Sequence, residues 1–325
     1  MKTGGYIATI LASLALAAST ASLAGPLGEN GNRPITLVVP SSPGSSSDLV
    51  ARILGRAVTE KVGNPVVVEN RPGANGIIGV QNILTRPADG SALLSTTSSP
   101  VVFNKFLFKK LPYDPQTELI PLVIFARGTM MLGTTPKLPY SNLAGLIADA
   151  KQHPEKLNFG YATATQQLVG ELFQKSSGTK FTFIAYKTNA AMLQALMTGE
   201  IHLAISDPAG FDSYMKGKQI NVVAATAPSR LRVYPDVPTL IEQDIDLKLE
   251  TFNGVFAPKG TSKADQDALI AVLKDQVASK EMRDYTLGTA MDDFVVAGDD
   301  AKKYMDEMIS TWTKLTREAG IEARQ

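Results

Sequence analysis

Residues 35–48 read ITLVVPSSPGSSSD, an apolar run that ends in a loop of serine, proline and glycine. The run Ile35–Val39 lacks regular alternation with polar residues, which predicts a strand covered on both faces of a parallel sheet. Over residues 49–58 apolar side chains recur at helical spacing, and Ser47 or Asp48 is placed as the helix N-cap. Such a turn directs unpaired backbone N–H groups and the positive end of a helix dipole into a crevice, which favours an anion. No nucleophile, base or metal ligand accompanies it, so the stretch indicates binding.

The composition is that of a globular exported protein. A chain of 325 residues with 44% hydrophobic residues is long enough for two lobes of ordinary domain size. Residues 1–24 are predicted to be a signal peptide, with Lys2, a short apolar stretch at 7–18 and a small-residue cleavage site ending at Ala24.

The charge balance and the lack of cysteine exclude several classes of protein. The chain carries 32 basic and 31 acidic side chains, so loss of Lys2 with the signal peptide leaves 31 of each and a net charge of zero. A neutral protein has no electrostatic footprint for nucleic acid or for an anionic membrane. With no cysteine, a thiol-linked lipid anchor, a disulfide framework and thiol catalysis are all excluded.

Strand-like and helix-like segments alternate along the chain, which predicts an α/β fold with parallel sheets wrapped by helices. No linker is apparent, so we expect the chain to cross between two lobes inside strands, near 124–128 and 251–255. Beyond residue 262 the chain is predicted to be mainly helical. Ligands bind beyond the carboxyl ends of strands in such sheets, so the cleft between the lobes is the expected site. The predicted division is the first part of lobe 1 at 25–126, lobe 2 at 127–250, and the return of lobe 1 with the C-terminal helices at 251–325.

A second stretch, VVVENRPGANGIIG at 66–79, is another apolar strand that breaks into a loop of proline and glycine before a helix. Together with the loop at 40–48, it resembles the substrate-binding receptors of tripartite tricarboxylate transporters, the Bug family. The resemblance implies a two-lobed periplasmic-binding-protein fold of type II, each lobe a mostly parallel sheet flanked by helices, with the ligand cleft at the hinge. Further segments match in the same order: LPYDP at 111–115, TGEIHLAISD at 198–207, PDVPT at 235–239 and APKGT at 257–261.

The candidate ligand-binding residues follow predicted strands and offer hydroxyl, amide and backbone donors. In lobe 1 they are Ser41, Ser42, Gly44, Ser45, Ser46, Asp48, Asn75, Gly76, Thr97 and Ser98. In lobe 2 they are Tyr161, Thr163, Thr165, Gln166, Lys187, Thr188 and Asp207.

Several of these positions have a structural interpretation as well. The loop at 40–48 is also typical of a plain turn, and Asp48 of a helix cap or first-turn acid. A run of hydroxyl residues at 95–99 is also typical of a solvated loop. Asp207 either orients a loop or accepts a hydrogen bond from a hydroxyl or amine of the ligand, and the sequence leaves both open.

The predicted function is a periplasmic receptor that captures a small organic carboxylate for a tripartite tricarboxylate-type transporter. We expect neutral donors to hold the acid, and we predict no enzyme activity, cofactor or metal, because only two histidines and no HExxH, GxSxG or Walker segment occur. The expected partners are the organic acid and membrane transporter subunits, with no nucleic acid, and the protein is expected to be a monomer without a lipid anchor. Two alternatives stay open, an accessory protein of a sensor kinase and an exported enzyme on the same scaffold.

Overall fold

The computed structural model of the protein describes residues 34–323, and the predicted signal peptide lies outside them. Strands and helices alternate over most of this range. The strands are β1 (Ile35–Val39), β2 (Val66–Asn70), β3 (Ala92–Thr97), β4 (Leu119–Gly128), β5 (Met131–Thr134), β6 (Asn158–Tyr161), β7 (Thr182–Ala185), β8 (Leu203–Ser206), β9 (Asn221–Ala225), β10 (Thr251–Pro258) and β11 (Asp292–Ala297). The helices are α1 (Ser46–Val62), α2 (Ile77–Leu84), α3 (Asn104–Leu107), α4 (Pro115–Glu118), α5 (Leu143–Gln152), α6 (Ala164–Ser177), α7 (Asn189–Thr198), α8 (Pro208–Lys216), α9 (Lys263–Val277), α10 (Lys280–Gly288) and α11 (Asp299–Ala319).

The strands form two mixed sheets flanked by helices, as the two-lobed α/β prediction requires. The first sheet has the order β11-β4-β10-β3-β1-β2, and the second has the order β7-β6-β8-β5-β9. Each sheet has a parallel part, β1 with its neighbours β2 and β3 in one and β6 with its neighbours β7 and β8 in the other. The strands nearest the crossings, β4, β10 and β5, pair antiparallel with their neighbours, so the parallel order expected from the alternation is only partial.

The chain passes between the sheets at two places that lie side by side. The strand β4 ends at Gly128 and β5 begins at Met131 in the other sheet, while the return strand β10 begins at Thr251. Thr251 pairs with Gly128, so the two crossings are adjacent antiparallel segments. The predicted lobe boundaries at 126/127 and 250/251 fall beside these crossings and stay a prediction.

One local prediction is wrong. The N-cap of α1 is Ser45 rather than Ser47 or Asp48, because the helix begins at Ser46 and the Ser45 side chain accepts the backbone N–H of Asp48. The region beyond residue 262 is mainly helical, as predicted, and contains α9, α10 and α11. It also contributes β11, which pairs antiparallel with β4 at the edge of the first sheet.

The apolar core extends between the two sheets. The helix α11 buries Met305, Ile309 and Trp312, and the Trp312 ring meets Phe103 edge to face with 4.7 Å between centroids. The same helix packs against α6, which flanks the second sheet. The lobes are therefore held together by side-chain packing as well as by the crossing strands. Within residues 34–323, the helices are all too short or too polar to span a lipid bilayer.

Candidate ligand-binding site

A cavity of about 380 Å³ lies between the two sheets, beside the crossing strands. Among the described residues, the starts of four helices contribute to its wall: Ser46 of α1, the N-cap Thr163 of α6, Asn189 of α7 and the N-cap Asp207 of α8. A helix N-terminus presents unpaired backbone N–H groups and carries the positive end of the macrodipole. Several such ends around one cavity make it favourable for an anion.

Hydrogen bonds hold the starts of α6 and α7 in place. Thr163 and Gln166 form a capping box, in which Thr163 Oγ1 accepts from the backbone N–H of Gln166 at 3.2 Å and Gln166 Oε1 accepts from that of Thr163 at 3.0 Å. The Gln166 Nε2 group donates to Asn189 Oδ1 at 3.0 Å, which ties α6 to α7. The second-lobe wall is thus fixed by side chains that also face the cavity.

Hydroxyl and amide groups from both lobes meet on one side of the cavity. The Asn75 Nδ2 group donates to Ser99 Oγ at 3.2 Å, and the hydroxyls of Ser99 and Thr165 lie 3.3 Å apart across the cleft. Ser98 adjoins them and also lines the cavity. We call Asn75, Ser98, Ser99 and Thr165 the neutral donor cluster.

The hydroxyl of Ser98 is buried and has no hydrogen-bond partner among residues 34–323, and its residue is only 1% exposed. A buried polar group without a partner costs about 1–3 kcal/mol. Native proteins carry few such groups, and one that lines a cavity has an evident use as a donor to a ligand.

The cavity wall carries little charge. Of the described residues that line it, none is Lys, Arg or His, and the one ionisable side chain is Asp207. Its Oδ1 atom accepts the backbone N–H of Gly210 at 2.7 Å and so caps α8. An anion here would be held by neutral dipoles, as the sequence predicts, and not by a basic side chain.

The crossing strands and the segment before β11 supply a less polar part of the wall. It contains Met130, Phe252 and Met291, with Thr129 and Asn253 between them. The Nδ2 group of Asn253 lies 3.5 Å from the Met291 sulfur, within hydrogen-bonding range. The body of a small organic ligand would contact these side chains.

The structure brings eight of the seventeen candidate residues to the cavity wall and three more to a neighbouring pocket. The cavity is lined by Ser46, Asn75, Thr97, Ser98, Thr163, Thr165, Gln166 and Asp207. The neighbouring pocket, of about 340 Å³, is lined by Ser41, Ser42 and Gly76 and shares Asn75, Thr97 and Ser99 with the cavity. Neither is lined by Gly44, Ser45, Asp48, Tyr161, Lys187 or Thr188.

Three of those six residues, Gly44, Ser45 and Asp48, hold the loop before α1. Asp48 is 2% exposed, and its Oδ2 accepts from Arg52 Nε and from the backbone N–H of Gly44, both at 2.9 Å. Its Oδ1 accepts from Asn70 at 3.0 Å. The Arg52 hydrogen bond, with help from Gly44 and Asn70 and against the effect of burial, lowers the pKa of Asp48 to about 2. Ser45 caps the helix, as described above.

The remaining three residues, Tyr161, Lys187 and Thr188, also lie away from both pockets. The Thr188 hydroxyl accepts the backbone N–H of Ala191 at 3.1 Å and caps α7, while Lys187 beside it is exposed. The Tyr161 ring packs near Phe183, with 6.4 Å between centroids.

Sequence reasoning missed several residues of the wall. Ser99 and Asn189 adjoin candidates that it named, Ser98 and Thr188, so the hydroxyl run and the helix start were the available signals. Other missed residues come from the hinge. Gly128, Thr251, Phe252 and Asn253 lie in the predicted crossings but were not named as candidates. No local signal marked Thr129, Met130, Thr289 and Met291, which come from distant parts of the chain.

Two helix-flanked sheets joined by two adjacent crossings, with a cavity between them, define a two-lobed solute-binding protein of the periplasmic type. A sequence model of the tripartite tricarboxylate transporter family receptors matches residues 50–321. The chain belongs to this family of substrate-binding receptors.

Known relatives and solved structures agree with that assignment. Protein BugT of Bordetella pertussis is 28% identical over 321 residues, covering 97% of this chain and 98% of BugT. The structure of Rpa4515 of R. palustris with adipate has a TM-score of 0.78 at 27% identity, covering 90% of this chain and 99% of that one. The periplasmic binding protein BugD has a TM-score of 0.76 at 25% identity, with the same coverage.

Proposed function

We propose that this receptor captures a small organic carboxylate in the cavity between its sheets and delivers it to the membrane subunits of its transporter. It acts in the periplasm, after removal of a signal peptide, as a monomer and without catalysing a reaction. The acid bridges the two lobes, so binding favours their closed arrangement.

The observation that carries this proposal is the kind of donor around the cavity. Helix N-termini and the buried Ser98 hydroxyl offer hydrogen bonds to an oxyanion without a basic side chain. The match to Rpa4515, which was solved with adipate, supports an organic acid as the ligand.

The expected affinity for the acid suits capture followed by release. Charge-assisted hydrogen bonds contribute roughly 1.5–3 kcal/mol each, and ordering of ligand and lobes opposes them. Four or five such contacts leave a dissociation constant of about micromolar order. A receptor that must hand over its ligand works well in this range.

A thermal-shift screen of organic acids, followed by isothermal titration calorimetry, tests the proposal. Ligand at a hundred times its dissociation constant is expected to add about 2.7 kcal/mol of stability, which raises the melting temperature by a few degrees. Stabilisation by neutral sugars or cations alone would contradict it. Mass spectrometry after prolonged incubation is expected to return each acid unchanged, whereas a product would indicate an enzyme.

A further inference from the structure

The N-cap residue of α8, Asp207, is ionisable, whereas the N-cap residue of the neighbouring helix α6, Thr163, is neutral. The strands β6 and β8 are parallel neighbours, with Phe159 opposite Leu203. Thr163 and Asp207 each lie four residues beyond these partners and cap the helices that follow. Neighbouring strands are about 4.8 Å apart, so a neutral N-cap and a charged N-cap lie side by side in the cavity wall.

The Asp207 carboxylate has hydrogen-bonding capacity to spare. Its Oδ1 accepts from Gly210, and its Oδ2 has no hydrogen-bond or ion-pair partner among residues 34–323. The side chain is exposed, with no cationic residue among those that line the cavity. An ionised carboxylate only accepts hydrogen bonds, so a ligand group next to it has to be a donor.

Asp207 lines the same cavity as Ser46 of the first lobe. Tyr285 on α10 shares a hydrogen bond with the hydroxyl of Ser46, at the start of α1. Burial raises the pKa of Tyr285, its bond with Ser46 opposes that rise, and the Asp207 charge adds to it. One region of the cavity, between the starts of α1 and α8, therefore carries a negative charge, whereas the neutral donor cluster carries none.

We infer that the acid held by this receptor is a monocarboxylate whose other end carries a hydroxyl or an amine. The carboxylate binds the neutral donor cluster, and the hydroxyl or amine donates to Asp207 Oδ2. A second carboxylate in that place would be repelled by a like charge and would bring no proton to donate. This inference rests on the proposed function, because it assigns the two ends of the same ligand.

Two matched series of acids test the inference by calorimetry on the purified protein. The four-carbon series is butyrate, 4-hydroxybutyrate, 4-aminobutyrate and succinate, and the six-carbon series is hexanoate, 6-hydroxyhexanoate, 6-aminohexanoate and adipate. In whichever series binds better, the hydroxy or amino acid is expected to bind at least about tenfold tighter than the dicarboxylate.

Asp207→Asn separates the charge from the cap, because Asn caps a helix about as well as Asp. The variant is expected to reduce the preference to below about threefold, mainly by improving the binding of the dicarboxylate. Asp207→Ser serves the same purpose if the first variant folds poorly. Asp212→Asn is the control, since it removes the same charge further along α8 at a residue paired with Lys216 and outside the cavity, and it is expected to keep the preference.

A dicarboxylate that binds as tightly as the matched hydroxy and amino acids would overturn the inference and leave the proposed function standing. An unchanged preference in both Asp207 variants would do the same. If no organic acid of any kind stabilises the protein, the proposed function itself fails, and this inference fails with it.

Discussion

The Ser98 side chain has both properties that a ligand-binding donor needs. It lines the cavity, and its hydroxyl is buried without a partner among residues 34–323. Ser206, at the end of β8, offers a close comparison. Its hydroxyl is likewise buried and unpartnered in the described part of the chain, but it does not line the cavity. Burial of a lone hydroxyl is thus common to both residues, and a place in the cavity wall distinguishes them.

Ser98→Ala is expected to weaken binding of the acid by about 10- to 100-fold, because it removes a hydrogen bond to a charged group that contributes roughly 1.5–3 kcal/mol. The stability of the free protein is expected to stay the same or to rise by up to about 1–3 kcal/mol, since the variant removes a buried hydroxyl that has no protein partner. Calorimetry and urea unfolding measure the two quantities. Ser206→Ala is the control and is expected to bind normally, and equal affinities of both variants would remove Ser98 from the site.

The first turn of α1 depends on a carboxylate that does not line the cavity. Asp48 joins the helix to the preceding loop through Gly44, to β2 through Asn70 and to the next turn through Arg52. Its role in the site is therefore to hold the loop that presents Ser46. The lowered pKa of Asp48 means that the folded protein stabilises the ionised carboxylate more than the unfolded chain does.

Asp48→Asn is expected to lower the free energy of unfolding at pH 7 by about 2 kcal/mol, from a pKa change of almost two units at 1.36 kcal/mol each. Because the folded-state pKa is depressed, this stability is present above about pH 4 and is lost as the pH falls toward 2. Urea unfolding of both proteins at pH 7, 4 and 2.5 measures the difference, which is expected to shrink toward the lowest pH. Asp246→Asn, at an exposed residue, is the control. If the two proteins differ in stability as much at pH 2.5 as at pH 7, the variant loses stability through altered packing or hydrogen bonding and not through loss of the charge.

The crossing strands carry an ion pair at the hinge. The Nε atom of Arg127, in β4, lies 3.1 Å from Oε1 of Glu250, just before β10. Arg127 also lies 3.6 Å from Asp292 and places its guanidinium 4.9 Å from the centre of the Phe294 ring. Burial raises the pKa of Glu250 despite the nearby Arg127. The ionised form of Glu250 therefore costs stability, although it is paired.

The two members of this pair are expected to respond differently to replacement. Glu250→Gln is expected to keep or raise stability at pH 7 by up to about 1 kcal/mol, because it removes a charge that burial disfavours. Arg127→Met is expected to lose roughly 2 kcal/mol, because it leaves Glu250 without its cation. A raised pKa means that stability is fully present below the ordinary value of 4.5 and is lost as the pH rises through the folded-state value.

Unfolding at pH 7 and pH 4 therefore distinguishes the cost of burying the Glu250 charge from the benefit of its attraction to Arg127. Any advantage of Glu250→Gln is expected at pH 7 and is expected to vanish at pH 4, where wild-type Glu250 is neutral. A clear loss of stability in Glu250→Gln at pH 7 would mean that the attraction to Arg127 outweighs burial.

The sequence predicted elements well where they are local and poorly where they depend on distant pairing. The strand Ile35–Val39 and the loop after it could be identified because an apolar run and a turn are written in consecutive residues. The strand Asp292–Ala297 could not, because it is stabilised by pairing with β4 far away in the chain. The site follows the same rule. Thr163 and Asp207 were predicted as loop residues after strands, whereas Met130 and Met291 meet only when the crossings form.

Several contacts among residues 34–323 join the lobes. The adjacent crossings form the hinge, α11 packs against α6, and the hydroxyls of Ser99 and Thr165 meet across the cleft at 3.3 Å. The third contact lies at the cavity itself, within the neutral donor cluster. We expect a ligand that bridges the lobes to enter when this contact separates and to stabilise the arrangement in which the contact is made.

A reversible disulfide between positions 99 and 165 tests this requirement for opening. The chain contains no cysteine, and hydroxyl oxygens 3.3 Å apart place the two β-carbons close to the separation that a disulfide needs. The oxidised Ser99→Cys/Thr165→Cys variant is expected to bind the acid at least about 100-fold more slowly than the same variant after reduction, because the lobes cannot open. Stopped-flow mixing measures the rates, and each single variant under the same oxidation is the control. Oxidation after loading is expected to retain the acid through dialysis. If the oxidised protein binds as fast as the reduced one, the acid enters by a route that needs no separation of the lobes at this contact, and closure over the ligand is not how this receptor works.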